Sequence, residues 1–214
     1  MKLFRSIPFK RDRRAHWERV YKKKLPTEVG WYQEHPEMSL KLISATGVDV
    51  DGSIIDVGGG TSMLPGLLVD QGYRKLTVLD ISANAIAKAK RQLGEKSKQI
   101  MWIEADVTSF SFTEKFDIWH DRAVFHFLTD ALDRKKYVNS VNQALKPGGD
   151  LIVSTFGLNA PSKCSGLNVT RYSPETLHKE FGDNFDLIEV SKEVHLTPSR
   201  VQQPFIWCRF SKRT

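Results

Sequence analysis

The sequence contains few cysteines and no long apolar run. Its 214 residues include two cysteines, Cys164 and Cys208, which lie far apart in the chain. This spacing argues against a disulfide framework and against a zinc site built from neighbouring ligands. No apolar stretch approaches the roughly 18 residues of a membrane-spanning helix. We therefore expect a soluble, cytoplasmic protein whose core is large enough to fold without disulfides or a metal.

Basic residues are concentrated at the start of the chain. The net charge is +7, yet residues 1–24 carry ten Lys and Arg against two Asp and Glu. The other 190 residues are nearly neutral, with 22 basic and 23 acidic side chains. A nucleic-acid surface needs basic groups on the folded body, so no nucleic-acid partner is predicted. The basic segment is interpreted as a solvated helix, with a mitochondrial targeting segment or a docking arm as alternatives.

Strands and helices alternate through the middle of the chain. The predicted strands cover residues 53–57, 75–80, 100–105, 116–119 and 151–156, and the helices between them cover residues 63–71, 83–93 and 131–145. This alternation predicts an α/β fold with a doubly wound, Rossmann-like, mostly parallel sheet and helices on both faces.

The end of the chain follows a different pattern. A helix is predicted to end near Phe181, and two further strands are predicted at 185–195 and 205–210. The loop between these strands is too short for a crossover helix, so the pair must be antiparallel. This makes about seven strands in all. Residues 1–50 are predicted to form a helical cover segment on a main domain of residues 51–214, as a single globular domain overall.

A glycine turn follows the first predicted strand. The run Ile54 to Val57 is apolar except for Asp56, and Gly58, Gly59 and Gly60 come directly after it. Glycines allow positive φ and let the backbone come close to a ligand. In an open α/β sheet, ligands bind at the carboxyl ends of the strands. A cofactor is therefore predicted at this turn.

Two cofactors compete for that position, a dinucleotide and S-adenosylmethionine. A dinucleotide site expects a third glycine where Met63 stands, which argues against NAD. Asp80 closes the second strand and would bind ribose hydroxyls in either case. Asp56 suits a ligand with an amino group, and Asp106 follows the third strand, where a carboxylate can accept from an adenine amine.

Five segments together resemble the class I S-adenosylmethionine-dependent methyltransferases. They are Asp56 to Ser62, Leu79 to Ser82, Ala105 to Val107, Phe116 to Asp121, and Leu145 to Gly149. Their order and spacing are ordinary for that family, and the resemblance covers roughly residues 50–156. It implies S-adenosylmethionine as cofactor and methyl transfer as the activity.

The resemblance also implies residue roles. The cofactor would be held by Asp56, Gly58, Gly59, Gly60, Thr61, Asp80, Ile81, Asp106, Val107 and His120. Asp80 would bind the ribose diol, and Asp106 the adenine amine. The candidate catalytic residues are Asp121, near the methionine end, and His126, which titrates near neutral pH. A helix cap and a buried structural histidine are their alternative interpretations.

Residues around the acceptor are predicted less directly. Candidate substrate or lid residues are Trp31, Tyr32, Arg122, Arg171 and Tyr172, and no metal site is predicted. Cys164, His126 and His195 would form a soft-metal site only if the fold brought them together.

The acceptor itself has competing interpretations. The segment Asp121 to Ala123 resembles the thiopurine and thiol methyltransferases, which favours a small thiol, thiopurine or metalloid-like acceptor. The helix containing Trp17 and Tyr21 also resembles small protein-lysine methyltransferases. Other classes that stay open are a nicotinamide-dependent oxidoreductase and a non-catalytic binding subunit that keeps the fold.

Overall fold

A computed structural model describes residues 9–214, with side chains described from residue 13 onward. The helices are α1 (Phe9–Lys23), α2 (Glu37–Ala45), α3 (Leu64–Asp70), α4 (Ala83–Leu93), α5 (Ala131–Ala144) and α6 (Pro174–Phe181). The strands are β1 (Ser53–Val57), β2 (Lys75–Asp80), β3 (Ile100–Glu104), β4 (Phe116–Arg122), β5 (Leu145–Phe156), β6 (Lys163–Cys164), β7 (Leu167–Asn168), β8 (Phe185–Leu196) and β9 (Gln202–Lys212).

Seven strands form one sheet in the order β3-β2-β1-β4-β5-β9-β8. The first five strands of this order run parallel, and β9 pairs antiparallel with both β5 and β8. The predicted Rossmann-like fold with an antiparallel C-terminal pair is therefore confirmed. The strand order reverses between β1 and β4, and a crevice at that point is where such sheets bind ligands.

The central strands are apolar because helices cover both faces of the sheet. In β5, the last eight residues, from Gly149 to Phe156, are all buried, as expected for a strand in the middle of a two-faced sheet. One core packs α5 and α6 against the sheet, and the other packs α2 and α3 against the opposite face. Adjacent residues of a strand face opposite cores.

Two features differ from the sequence prediction. The segment Lys146 to Gly149 was predicted to end the preceding helix, but it lies within β5. The strand begins earlier because Leu145 pairs with Phe116 of β4, and a register shift follows this pair. The short hairpin of β6 and β7 was not predicted, because each strand has only two residues. Among the residues that the structure describes, no helix is long and apolar enough to cross a membrane.

Candidate active site

A cleft lies at the carboxyl ends of β1, β2 and β4 and contains about 880 Å³ of space, including the part open to solvent. The helix α1 and the segment after it cover one side through Arg13, Trp17, Tyr21 and Trp31. The remaining walls come from strand ends, from the β6 hairpin and from β9. By the sheet order, the β2 and β3 side and the β5 and β9 side are opposite ends of the cleft.

The glycine turn after β1 forms part of the cleft wall. Gly58 and Gly60 have φ values of 67° and 51°, which favour glycine. A Cβ atom at Gly58 would collide with Val124, and one at Gly60 would collide with the Tyr21 hydroxyl. The three residues Gly58, Gly59 and Gly60 therefore allow a close packing that larger residues would prevent. Thr61 is buried and lines a small second pocket beside the cleft.

Asp80 and Ile81 lie at the β2 end of the cleft. Asp80 is 5% exposed, and its Oδ1 accepts a hydrogen bond of 2.8 Å from the Ser82 N–H. Burial raises the pKa of Asp80 to about 7, and the nearby charges of Asp56 and Glu18 also raise it. A buried carboxylate with remaining acceptor capacity suits a ligand that donates hydroxyl hydrogens.

Asp106 and Val107 lie at the β3 end of the cleft. The Oδ1 atom of Asp106 accepts from the Thr108 N–H at 2.9 Å and from the Thr108 hydroxyl at 2.7 Å. Its Oδ2 atom is 3.8 Å from Nη2 of Arg13. These contacts orient the Asp106 carboxylate and leave Oδ2 available near the covering helix.

Asp56 and His120 are not among the residues that line the cleft. Their side chains bind each other beneath the glycine turn, with 2.8 Å between Asp56 Oδ1 and His120 Nδ1. The His120 Nε2 atom is 3.0 Å from the Ser39 hydroxyl. The prediction that both residues contact the cofactor directly is thus not supported, because they lie deeper along β1 and β4 than the strand ends that form the cleft. Asp56 Oδ2 has no hydrogen-bond partner among the described residues.

Asp121 has the geometry of a cap, which is the alternative interpretation of this residue. Its side chain is fully buried and accepts from the N–H groups of Val124 at 2.7 Å and Phe125 at 3.1 Å. The Tyr137 hydroxyl donates to its Oδ2 at 2.5 Å. All these donors belong to the protein, and Asp121 does not line the cleft. The carboxylate therefore holds the turn after β4.

His126 has the surroundings of a buried structural histidine, which is the alternative interpretation of this residue. Its Nδ1 atom accepts a 3.2 Å hydrogen bond from the Phe156 N–H, and its ring packs against Phe127 and Phe156. Burial lowers its pKa to about 3. A base that weak cannot take a proton from an acceptor near neutral pH. Across residues 9–214, no three His, Cys, Asp or Glu side chains are grouped as a metal site, so Cys164, His126 and His195 do not form one.

The predicted substrate residues divide into two groups. Arg122 and Trp31 line the cleft, and the Arg122 Nη1 atom donates to the Trp31 carbonyl at 2.9 Å. Tyr32 lines only the second pocket. Arg171 and Tyr172 hold the loop after β5 in place instead of reaching the cleft. Arg171 donates to two carbonyls of that loop, and Tyr172 is 2% exposed.

Several cleft residues were not predicted as site residues. They are Arg13, Trp17, Tyr21, Phe127, Cys164, Gln203 and Phe205. Trp17 makes edge contacts with Trp31 and Phe127 at centroid distances of 5.5 Å and 5.1 Å. The aromatic face of α1 was visible in the sequence as amphipathic spacing. Gln203 and Phe205 carried no such signal, because only the tertiary fold brings β9 to the cleft.

The cleft fits S-adenosylmethionine. The Asp80 and Asp106 carboxylates stand at adjacent strand ends, where ribose hydroxyls and an adenine amine would donate to them. Ile81 and Val107 supply apolar surface for a base, and Gly58 allows backbone contact. These groups lie along the carboxyl edge of β1, β2 and β3, where ligands bind in this sheet topology.

Comparison with known proteins agrees with this assignment. A family model described as a methyltransferase domain matches residues 54–149. Residues 54–149 therefore form a methyltransferase domain of the class I S-adenosylmethionine-dependent type. The solved structure of the N-methyltransferase NodS from Bradyrhizobium japonicum WM9 with S-adenosylhomocysteine aligns with a TM-score of 0.66 and 18% identity, covering 92% of this chain and 98% of that one.

Curated relatives of this methyltransferase differ in their acceptors. It is 35% identical over 107 residues to malonyl-[acyl-carrier protein] O-methyltransferase of Anoxybacillus flavithermus, and the aligned region covers 49% of this chain and 39% of that protein. It is 23% identical over 198 residues to human EEF1A lysine methyltransferase 2, and the aligned region covers 86% of this chain and 78% of that protein. The family therefore fixes the methyl donor and leaves the acceptor open.

Proposed function

We propose that the protein transfers a methyl group from S-adenosylmethionine to a small, soft nucleophile, a thiol or a thiopurine- or metalloid-like acceptor. One observation carries the proposal: the end of the cleft near β4 and β9 contains the Arg122 cation but no carboxylate and no base among the described residues. When bound, the cofactor supplies a methyl group on a positively charged sulfur, which becomes neutral as the acceptor forms the new bond.

Proton removal is the first consideration. Asp121 and His126 do not serve as bases, and the carboxylates that line the cleft, Asp80 and Asp106, belong to the adenosine end. Burial raises the pKa of Cys164 and keeps that thiol protonated. The acceptor must therefore lose its proton before transfer. A thiol, with a reference pKa of about 8.5, does so readily near neutral pH.

Charge supports the same acceptor class. The Arg122 guanidinium stabilises an anionic nucleophile such as a thiolate and disfavours a cation beside it. A lysine ammonium, with a reference pKa of about 10.4, would have to lose its proton next to this cation. Aromatic side chains of Trp31, Phe127 and Phe205 line the same space. They suit a small apolar or aromatic body on the acceptor.

Protein-lysine methylation is the second candidate. It is favoured by the match to human EEF1A lysine methyltransferase 2, which extends over 86% of this chain. A lysine side chain would enter the cleft from its solvent side.

The deciding experiment uses S-adenosylmethionine with a radiolabelled methyl group. The protein is incubated with a panel of small thiols and with a cell extract that is later separated into protein and small-molecule fractions. We expect label in the thiols and in the small-molecule fraction. Label in a protein band with none in the thiols would replace the proposal with lysine methylation. Asp80→Asn, which removes the ribose acceptor, serves as the inactive control.

A further inference from the structure

The Arg122 guanidinium keeps two of its donors free. Its Nη1 atom donates to the Trp31 carbonyl, whereas Nε and Nη2 are shielded from solvent and have no partner among the described residues. The N–H bonds of Nε and Nη2 are parallel and form the side edge of the guanidinium. That edge matches the two oxygens of a carboxylate. A buried cation with an open edge is costly unless a partner occupies it.

The nearest acidic groups of the protein do not fill this edge. Glu193 and Asp56 act on Arg122 electrostatically, but neither makes an ion pair with it. The Glu193 oxygens accept from Gln33 at 2.7 Å and from the Trp207 indole at 2.8 Å. Asp56 is bound to His120, and its free Oδ2 is turned toward Gly59. The open edge of Arg122 is therefore left for a ligand.

The position of Arg122 points to the acceptor. It is the last residue of β4, on the opposite side of β1 from the Asp80 and Asp106 carboxylates. Its cross-strand neighbour is Ser154 of β5, whose buried hydroxyl also lacks a partner. Cys164 lines the same cleft and is close enough for the Arg122 charge to act on its thiol.

We propose that Arg122 anchors a carboxylate of the methyl acceptor, with Cys164 beside it, so that the acceptor is a small thiol that also carries an acid group. This inference rests on the proposed function for the identity of the nucleophile. Its structural basis is independent, because it follows from the unpaired donors of Arg122. Arg122 is thus a specificity-determining residue, and it acts by charge and by bidentate geometry.

The first test detects the anion subsite without a methyl acceptor. Iodoacetate and iodoacetamide alkylate thiols and differ in charge, so their rates at Cys164 report on the neighbouring cation. We expect the iodoacetate to iodoacetamide rate ratio at Cys164, measured by mass spectrometry, to exceed that of a free cysteine peptide by about tenfold. Arg122→Gln should abolish this excess, and Arg122→Lys should retain part of it.

A matched control keeps this test specific. Arg209→Gln removes another partly buried guanidinium, which pairs with Asp150 at 3.1 Å and lies outside the cleft. It should leave the ratio at Cys164 unchanged. Circular dichroism and thermal unfolding show whether each variant is folded. The proposal would be overturned if the iodoacetate to iodoacetamide rate ratio at Cys164 of wild type equalled that of the free peptide. It would also be overturned if a folded Arg122→Lys or Arg122→Gln variant had the same ratio as wild type.

The second test compares acceptors of matched size. With wild type, 3-mercaptopropionate should be methylated with a kcat/KM about tenfold or more above that of 2-mercaptoethanol, and this preference should disappear in Arg122→Gln. Equal use of the two thiols by wild type would overturn the proposal while leaving thiol methylation intact. If no thiol is methylated while the iodoacetate preference persists, the proposed function fails and the anion subsite stands.

The cofactor also has a carboxylate, in its amino-acid tail. Calorimetry shows whether Arg122 binds this carboxylate or that of the methyl acceptor. S-adenosylhomocysteine carries that tail, whereas 5′-methylthioadenosine lacks it. We expect Arg122→Gln to change the Kd of both ligands by less than about twofold. Loss of affinity for S-adenosylhomocysteine alone would assign Arg122 to the cofactor tail and overturn the acceptor assignment.

Discussion

The imidazole of His120 joins Asp56 of β1 to Ser39 of α2, with 2.8 Å to the carboxylate and 3.0 Å to the hydroxyl. All three side chains are buried, at 1%, 5% and 1% exposed for His120, Asp56 and Ser39. The order Ser, His, Asp is that of a hydrolase triad. Ser39 lines neither the cleft nor the second pocket, so no substrate reaches it. The group instead fixes the two strands that flank the glycine turn against α2.

Removing His120 should therefore destabilise the protein. His120→Ala leaves Asp56 and Ser39 buried and unpaired, and we expect a loss of about 2–4 kcal/mol in the free energy of unfolding, measured in urea. His35→Ala is the matched control, because the His35 side chain is half exposed and its removal should cost less than about 0.5 kcal/mol. Equal effects of the two substitutions would contradict the structural role of His120.

Depth along the strands separates the predicted site residues that line the cleft from those that do not. Asp80 and Asp106 end or follow short apolar strands, so their place at the sheet edge could be predicted from the sequence. Asp56 and His120 lie in β1 and β4 on the same face of the sheet as Asp80 and Arg122, but two positions deeper along the strands. The depth of a side chain below the cleft depends on where each neighbouring strand ends. A motif match does not contain that information.

Other parts of the site had no local signal. Cys164 and Phe205 reach the cleft because the β6 hairpin follows β5 and because β9 returns to pair with β5. Such long-range packing has no periodicity that a sequence reveals. For Asp121 the capping alternative was visible, since an acidic residue before a turn is a common cap. The Tyr137 hydroxyl that donates to Asp121 is fully buried and lies in a helix 16 residues later in the chain.

The Asp80 carboxylate should make cofactor binding depend on pH. Its pKa of about 7 is raised by burial, and hydroxyl donors of a ribose favour its ionised form. Lowering the pH from 8 to 6 protonates Asp80, so the Kd of S-adenosylhomocysteine should rise about tenfold. Calorimetry across this range checks the expectation. Asp80→Asn should bind S-adenosylhomocysteine more weakly at pH 8 and show no such pH dependence. The same change of Kd with pH in that variant would assign the titration to another group.

The same carboxylate should lower the stability of the ligand-free protein. An unfolded Asp ionises near 3.9, whereas Asp80 ionises near 7 in the folded state. Folding is therefore penalised increasingly from pH 4 to pH 7, and fully above it. Asp80→Asn should raise the Tm at pH 8 by several degrees and have little effect near pH 4. A lower Tm at pH 8 would contradict this sign.

The contact between Asp121 and Tyr137 should contribute to the free energy of unfolding and not to the affinity for the cofactor. Tyr137→Phe removes the hydroxyl that donates to Asp121 and accepts from the Trp119 indole at 2.9 Å. We expect a loss of about 1–3 kcal/mol in urea unfolding, with the Kd of S-adenosylhomocysteine unchanged. Tyr73→Phe, at a partly exposed position, is the control. A large loss of cofactor affinity in a folded Tyr137→Phe protein would return Asp121 to the site.

His126 should be dispensable as a base. His126→Asn keeps an acceptor near the Phe156 N–H and removes any titration. We expect the methylation rate with a thiol acceptor to change by less than about threefold and the pH profile to keep its shape, because loss of a general base typically costs 10²-fold or more. A loss of that size in a stably folded variant would restore the catalytic assignment.

Glu18 couples the covering helix to the cofactor site. It lies in α1, and its Oε1 accepts from the Ala83 N–H at 2.6 Å at the start of α4. A negative charge there is stabilised by the helix dipole, and it also raises the pKa of Asp80. Glu18→Gln therefore loosens the attachment of α1 and removes one source of the raised Asp80 pKa.

Two changes should follow in Glu18→Gln. The pH midpoint of S-adenosylhomocysteine binding should fall below 7, and the dissociation rate should increase several-fold as α1 opens more readily. Trp17 fluorescence in stopped-flow measurements reports the rate, since Trp17 lines the cleft. Glu95→Gln, which removes an exposed partner of Lys98, is the control. Faster dissociation with an unchanged midpoint would mean that α1 covers the cofactor without any electrostatic link to Asp80. An unchanged rate would mean that Glu18 does not hold α1 in place.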